Sequence, residues 1–363
     1  MTPAARLAAA IEIVADIIER RRPAPDALKD WGLSHRFAGS GDRAAIGGLV
    51  YDALRRKASS AWLMGAETPR AIMLGMLRRE RGMDAAAVGA LVDGSRFSPE
   101  PLTEAEVARL DGDALGDAPP HVIGDYPEWL DPQLASVFGE ARAEEGAALA
   151  SRAPLDLRTN TLKGTPEEAA DELASLGAEP TPWSPLGLRI ALGADARSPA
   201  VHAEPAFLRG LVEVQDEGSQ LAALIAAVTP GEQVVDLCAG AGGKTLALAA
   251  AMRNQGQLYA ADSDKRRLAP IHARLERAGV RNVQVRTPRA GVDGLADIAG
   301  TADCVVVDAP CTGSGSWRRN PDAKWRLRPN ALEMRNREQA AVLQRAAGLV
   351  KPDGRIVYIP CTV

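Results

Sequence analysis

The chain has 363 residues, 46% of them apolar and 25% charged, with a net charge of −4. It is long enough for two or three domains with their own cores, too apolar for a disordered chain, and too acidic overall to hold a polyanion through its total charge. Four cysteines without a C-x-x-C pair, and four scattered histidines, suggest neither a disulfide framework nor a zinc site, so cysteine here is read as either core or chemistry.

The N-terminal stretch "MTPAARLAAAIEIVADIIERRR" repeats Leu7, Ile11, Val14 and Ile18 at helical spacing between charges. It predicts an amphipathic helix rather than a signal peptide or a membrane span, and a cytoplasmic protein is expected. Residues 42 to 57, "DRAAIGGLVYDALRRK", place Ile46, Leu49, Val50, Ala53 and Leu54 on one helical face, with Asp42 as N-cap. The prolines and glycines of "GDALGDAPPHVIGDYPEWLDP" then break the pattern and mark a domain boundary.

From residue 155 the pattern changes. "LDLRTNTL" and "GLRIAL" read as strands, and "TPEEAADELASLG" between them reads as a helix capped by Thr165, started by Pro166 and stopped by Gly177. From about residue 230, strand, glycine-rich turn and helix alternate, and "ADCVVVDAP" and "GRIVYIP" are apolar runs of the buried parallel type. The expected fold is therefore multidomain: an all-α domain over 1–120, a linker with a small α+β module over 121–228, and a doubly wound, Rossmann-like α/β domain over 229–363. Ligands of such a sheet bind beyond the carboxyl ends of its strands.

"DLCAGAGGKT" ends a strand and opens a helix, and its glycines allow a tight turn and close approach of backbone to a ligand. It is not a phosphate-binding loop of the G-x-x-x-x-G-K-[ST] type, because the first glycine of that pattern would stand at Cys238. Asp262 closes the next strand, where a carboxylate can accept from a ribose diol. A glycine turn with a ribose acid leaves a dinucleotide or S-adenosylmethionine as cofactor.

"DAPCTGSG", residues 308 to 315, chooses between them. Carbon 5 of cytosine is too weak a nucleophile to take a methyl group from a sulfonium directly. A thiolate must first add to carbon 6, with a carboxyl group near N3 to support the charge that develops. Asp308 beside Cys311 meets that demand, and a parallel sheet would bring Cys361, after "GRIVYIP", to the same rim. In the segment that follows, Arg318, Arg319, Lys324, Arg326 and Arg328 stand against Asp322 alone, with Trp317 and Trp325 among them. That is a basic, aromatic run suited to RNA phosphates and bases, or alternatively packing anchors beside a solvated face. Arg158 and Lys163 are weaker candidates for RNA contact. Cys304 reads as a small buried hydrophobe.

Together "DLCAGAGGKT", "DAPCTGSGSWRRNPDAKWR" and "YIPCTV" resemble the bacterial 16S rRNA cytosine-5 methyltransferases of the RsmB/Sun family, which carry a NusB-like helical domain in front. The resemblance covers nearly the whole chain: "DRAAIGGLVYDALRRK" is similar to the helical domain, "DLRTNTLK" to the small RNA-binding module and "VEVQDEGSQLAALI" to the lead into the catalytic domain. It implies S-adenosylmethionine as cofactor, with Cys238, Ala239, Gly240, Ala241, Gly242, Gly243 and Lys244 as its loop, Asp262 as ribose ligand, Arg267 beside it and Asp308 shared with the base. It implies Cys361 as nucleophile and Cys311 as the thiol that promotes proton removal and product release, with Lys244 orienting Asp308 or the base. Arg318, Arg319, Lys324, Trp325 and Arg326 are the implied RNA contacts. The implied partner is RNA, small-subunit ribosomal RNA first, with no metal, no membrane and a monomeric enzyme expected. A tRNA methyltransferase of the same fold and a non-catalytic RNA-binding factor are the alternatives.

The chain departs from the family pattern in three places. The loop reads Ala-Gly-Ala-Gly-Gly where Ala-Ala-Pro-Gly-Gly is usual. The third strand ends "VQVRTPRAG", with Thr287, Pro288 and Arg289 where an adenine-side Asp is usual. The sequence also stops two residues after Cys361, from which a C-terminally incomplete catalytic domain is expected.

Overall fold

The structure is a computed structural model that describes residues 1–112, 115–192 and 199–362. Seven helices come first: α1 (Pro3–Arg20), α2 (Ala24–Ser34), α3 (Ser40–Arg55), α4 (Lys57–Met64), α5 (Pro69–Arg81), α6 (Ala85–Gly89) and α7 (Glu104–Asp111). Thr2 caps α1 by accepting from the Ala5 amide, and Pro3 at the first position needs no hydrogen-bond acceptor. The buried face of α1 is Leu7, Ala10, Ile13, Val14 and Ile17. Ile11 and Ile18, expected on that face, lie partly buried at its edge.

α5 is the centre of this bundle, with Ile72, Met73, Leu74 and Met76 fully buried. It can approach α4 closely because Gly75 has no side chain, and a Cβ there would stand 2.5 Å from the Ser60 carbonyl oxygen. Asp42 is not the cap of α3, as the sequence reading has it; α3 begins two residues earlier, behind Gly39. The Asp42 carboxylate instead accepts from Arg6 Nε at 2.8 Å and meets the N-terminal ammonium at 3.2 Å, which ties α3 to α1.

Helices continue past the proline- and glycine-rich break as α8 (Pro120–Ile123), α9 (Asp131–Phe138) and α10 (Arg142–Ala150). Asp125, after α8, is fully buried and accepts from the Ser59 amide at 2.9 Å and the Ser59 hydroxyl at 2.7 Å, so this segment is fastened to α4. The change from helix to sheet comes at β1 (Leu155–Thr159).

The small module then adds α11 (Pro166–Glu172), β2 (Ala178–Pro180), β3 (Gly187–Ile190), α12 (Pro205–Leu208) and β4 (Val212–Val214). The strands form an antiparallel sheet in the order β2-β3-β1-β4. Thr165 and Glu168 make the reciprocal cap that starts α11, as their spacing predicts. Arg158 is buried in this module with its Nε donating to Gln215, so it is not an RNA contact.

α13 (Glu217–Ile225) leads into β5 (Gln233–Asp236), α14 (Gly243–Ala251), β6 (Gln257–Ala261), α15 (Lys265–Leu268), α16 (Ile271–Ala278), β7 (Val283–Arg286), β8 (Ala302–Asp308), α17 (Pro321–Arg326), α18 (Asn330–Leu349) and β9 (Val350–Ile359). The five strands are parallel, in the order β7-β6-β5-β8-β9. The central strands carry apolar residues on both faces because helices cover both. Cys304 on β8 is fully buried, as expected of a core cysteine, and burial pushes its thiol up to about 11. Strand order reverses between β5 and β8, which places the ligand crevice beyond their carboxyl ends. No described helix is long and apolar enough to cross a membrane.

α17 joins the catalytic sheet to the helical bundle by satisfying helix ends. Lys324 Nζ donates to the Arg55 carbonyl at 3.1 Å and Trp325 Nε1 to the Leu54 carbonyl at 2.6 Å, both in the last turn of α3. Asp322 accepts from the Ala24 amide, the first residue of α2, at 3.2 Å. Donors at a helix C-terminus and a carboxylate at an N-terminus both satisfy backbone groups that the helix leaves unpaired. Lys324 is buried, so it is not the RNA contact the sequence reading makes of it, while Trp325 and Arg326, partly exposed, bond the Leu54 carbonyl and Asp322.

Burial holds the Lys324 ammonium down to about 7, against an ordinary value of 10.5. Above pH 7 the folded chain therefore keeps a neutral amine there while the unfolded chain still binds a proton, and stability from this group rises with pH toward 10. The neutral amine can still donate to Arg55. Melting temperatures measured from pH 7 to 9 should accordingly rise more steeply for the wild type than for Lys324→Met. Parallel pH profiles would show that Lys324 is not titrating in this window.

Candidate active site

The turn after β5 is held from two sides. The Gly240 amide donates to Asp262 Oδ2 at 2.9 Å, Ala239 donates to the Ala261 carbonyl at 2.9 Å, and Arg274 Nη1 reaches the Ala241 carbonyl at 2.7 Å. Asp262 also accepts from the Asp264 amide at 2.8 Å, so this buried carboxylate shapes the turn as well as facing the cavity. Beneath the turn, Asp236 is fully buried; Thr245 donates to its Oδ2 at 2.7 Å, while its Oδ1 has no partner among the described residues. Burial pushes the Asp236 carboxyl up to about 6. Cys238 registers the local field: its thiol is pushed up to about 12, first by burial and then by the charges of Asp236, Asp262 and Asp308. A site this negative favours a bound cation.

Across the crevice β8 ends at Asp308, whose Oδ2 accepts from Lys244 Nζ at 2.7 Å. Lys244 stands one residue into α14, so this ion pair links the glycine turn to the second loop. Gln339 on α18 donates to the Pro310 carbonyl at 2.9 Å and fixes the turn that carries Cys311. Parallel pairing sets Asp308 opposite Ile359, which brings Cys361, two residues on, beside Cys311, three residues on. The two sulfurs are 3.0 Å apart. The Gly315 amide holds the Cys361 carbonyl at 3.1 Å, and the Thr312 and Thr362 hydroxyls bond each other at 2.5 Å.

At that distance the thiols share a proton. The Cys311 sulfur is pulled down to about 6, first by the hydrogen bond from Cys361 and further by the Gly313 and Cys361 amides, with burial opposing. The Cys361 thiol, which supplies that proton and is partly desolvated, is pushed up. The pair thus gives up one proton more readily than a lone thiol would and holds the other between the backbone-bonded Cys311 sulfur and the exposed Cys361.

Cys238, Asp262, Arg267, Asp308, Cys311 and Cys361 all line one cavity of about 450 Å³. Ala239, Gly240, Ala241, Gly242 and Gly243 build the turn behind it, and Lys244 reaches it through Asp308. Where an adenine-side Asp is usual, Arg286 and Pro288 line the wall; the Arg286 guanidinium bonds Asp297 and lies 5.0 Å from the Tyr259 ring centre. Arg318 and Arg319 lie away from this cavity, the first donating to the Arg152 carbonyl and the second paired with Asp216. Asp236 and Gln339 were missed in the sequence reading. The first could have been found, as the strand-end acid before a glycine turn; the second has no local signal, since its partner is 29 residues away. Among the described residues no three His, Cys, Asp or Glu side chains are grouped to hold a metal ion.

Two family models match the chain: 16S rRNA methyltransferase RsmB/F over residues 223–363, and the ferredoxin-like domain of RsmF/B-like methyltransferases over residues 126–197. A probable ribosomal RNA small subunit methyltransferase B of Synechocystis is 30% identical, with 95% of this chain and 83% of that protein aligned. Its probable counterpart in Bacillus subtilis is 31% identical over 66% of this chain, an alignment that spans 53% of that protein's own length. Among solved structures, PH0851 matches with a TM-score of 0.72 at 25% identity, covering 100% of this chain and 86% of the other. A methyltransferase homolog from Pyrococcus horikoshii matches with a TM-score of 0.57 at 29% identity, covering 67% and 76%. With the glycine turn, the paired thiols and these likenesses in place, the chain belongs to the RsmB/F family of S-adenosylmethionine-dependent methyltransferases.

Proposed function

We propose that this protein methylates carbon 5 of a cytosine in RNA, small-subunit ribosomal RNA first, through a covalent cysteine adduct, and that its N-terminal helical domain is a NusB-like RNA-binding element. The observation that carries the reading is the 3.0 Å approach of Cys311 to Cys361 beside the Lys244–Asp308 pair. A methyl transfer to an oxygen or an exocyclic nitrogen needs no thiol, whereas carbon 5 chemistry needs a nucleophile and a base on one ring.

The residues of the crevice fit the methyl donor. The sulfonium is a cation, and Asp236, Asp262 and Asp308 give the site its negative field. Asp262 would take the ribose, the turn from Cys238 to Gly243 would take the amino acid end, and bound S-adenosylmethionine would supply an electrophilic methyl group. Gly242 keeps the turn thin: its φ is 85°, and a Cβ there would stand 2.5 Å from Ile271 Cγ1.

The protein's own groups divide the remaining work. The proton shared by the two thiols settles on Cys311, and the Cys361 sulfur bonds carbon 6 of the ring. Asp308, held by Lys244, delivers a proton drawn from solvent to N3 as the sulfur adds and the ring loses aromaticity, and takes it back when the carbon 6–sulfur bond breaks. After the methyl group reaches carbon 5, Cys311, having returned its proton to solvent, takes the carbon 5 proton. The carbon 6–sulfur bond then breaks and Cys361 leaves as a thiolate. The target cytosine must be unpaired or flipped for a thiol to reach the ring face.

Two outcomes are expected. Gly242→Ala should weaken S-adenosylmethionine binding at least tenfold in calorimetry, and unchanged affinity would remove the turn from the cofactor site. With labelled S-adenosylmethionine and undermethylated small-subunit rRNA, Cys311→Ala should trap a protein–RNA adduct on a denaturing gel and Cys361→Ala should not. The reverse pattern makes Cys311 the nucleophile. Transfer to tRNA in preference to rRNA would change the substrate, and binding of RNA without any transfer would leave a non-catalytic factor.

A further inference from the structure

The sheet that brings the two thiols to one rim does not itself hold them together. Pairing of β8 with β9 ends with the Ala309 amide on the Ile359 carbonyl at 3.1 Å. Each thiol then follows a proline, Cys311 after Pro310 and Cys361 after Pro360, and a proline has no N–H with which to continue the ladder. Further on, the Gly315 amide reaches back to the Cys361 carbonyl, which fixes one loop's backbone but neither sulfur. The thiols are poor struts for each other, because S–H is a weak donor.

One residue beyond each thiol stands a hydroxyl. Thr312 and Thr362 bond each other at 2.5 Å, directly after the 3.0 Å approach of Cys311 to Cys361, so the loops are joined by two successive side-chain rungs. Ser314, only 2% exposed, donates to Thr362 Oγ1 at 3.3 Å. Its carbonyl accepts from the Trp317 amide at 3.0 Å, and Trp317 is buried, so the hydroxyl rung is anchored in the body of the protein. Cys311 and Cys361 line the cavity of about 450 Å³, whereas Thr312, Ser314 and Thr362 stand outside it. The hydroxyls act on whatever the cavity holds through the thiols, not by touching it.

Carbons 5 and 6 of a pyrimidine are bonded neighbours. The sulfur that adds to one and the sulfur that takes a proton from the other must therefore work side by side at one edge of the ring. Hydrogen bonds weaken steeply as their partners part or tilt, so loops free to separate would leave two ordinary thiols. Removing one hydroxyl of the rung would release that constraint without emptying the cavity of any group.

We propose that the hydroxyl pair of Thr312 and Thr362, tied down through Ser314, is the positioning element of the active site, holding the loops after β8 and β9 at the spacing where Cys311 and Cys361 share a proton. Its consequence for catalysis rests on the cytosine reading above.

The test uses the whole chain with Thr312→Val, Thr362→Val, the double variant and Thr312→Ser. Valine keeps the branched shape and removes the hydroxyl; serine restores it. In Thr312→Val the Thr362 hydroxyl keeps Ser314 as a partner, so the change orphans no group of the rung. The first readout needs no RNA: the pH dependence of iodoacetamide labelling at Cys311, located by mass spectrometry. Asp308, Lys244, Asp262, Arg267 and Arg335 also face the thiols in or beside the cavity, and every variant retains them. The wild-type midpoint near 6 should move up toward the ordinary 9 in each valine variant and return in Thr312→Ser. Labelling at pH 7 should slow by roughly fivefold or more as the thiolate fraction falls. The double variant should lose no more than either single one, since a bond broken from both ends is lost once. With undermethylated small-subunit rRNA, the valine variants should turn over more slowly at saturating S-adenosylmethionine, with cofactor affinity by calorimetry as in the wild type. Midpoints and turnover equal to the wild type, or losses that multiply in the double variant, would overturn the proposal. Raised midpoints beside a wild type that methylates no cytosine would uphold the positioning role and remove the cytosine reading.

Discussion

Parallel pairing of β8 with β9 is the constraint on which the site depends. It sets Asp308 against Ile359, so the two loops that leave these strands begin side by side and their thiols meet at 3.0 Å. A shift of one residue in that register would turn the side chains to opposite faces and separate the sulfurs. Buried valines on β8 oppose such a slip, because a charged neighbour would have to enter a fully apolar layer. The chemistry at the rim is thus fixed by packing in the middle of the sheet. Gln339, Gly315 and the paired hydroxyls of Thr312 and Thr362 then remove the freedom that remains in the loops.

The same loop region has a second task. Six residues after Cys311 the chain buries Trp317, and α17 then closes the ends of α2 and α3 with Asp322, Lys324 and Trp325. A segment that carries a reactive thiol at one end and a domain clamp at the other couples the crevice to the placement of the helical domain.

Signals that act over a few residues were legible in the sequence. The Thr165–Glu168 cap, the alternation of strand and helix after residue 230, and the glycine turn of 238–243 all depend on neighbours in the chain. The convergence of Asp308, Cys311 and Cys361 was legible too, because parallel topology puts successive strand ends on one rim. What failed was the assignment of partners. Lys324 and Trp325 have the composition of an RNA-binding surface, yet their acceptors are carbonyls about 270 residues earlier. Asp42 has the type of a cap but pairs with Arg6 instead.

The central claim is that the paired thiols serve chemistry at carbon 5 of cytosine. Its most direct test is release of tritium from small-subunit rRNA carrying cytosines labelled at carbon 5, measured alongside methyl incorporation. The account predicts one tritium released to water for each methyl group transferred, and none with Cys361→Ala. Methyl transfer without tritium release would place the methyl group on another atom and contradict it.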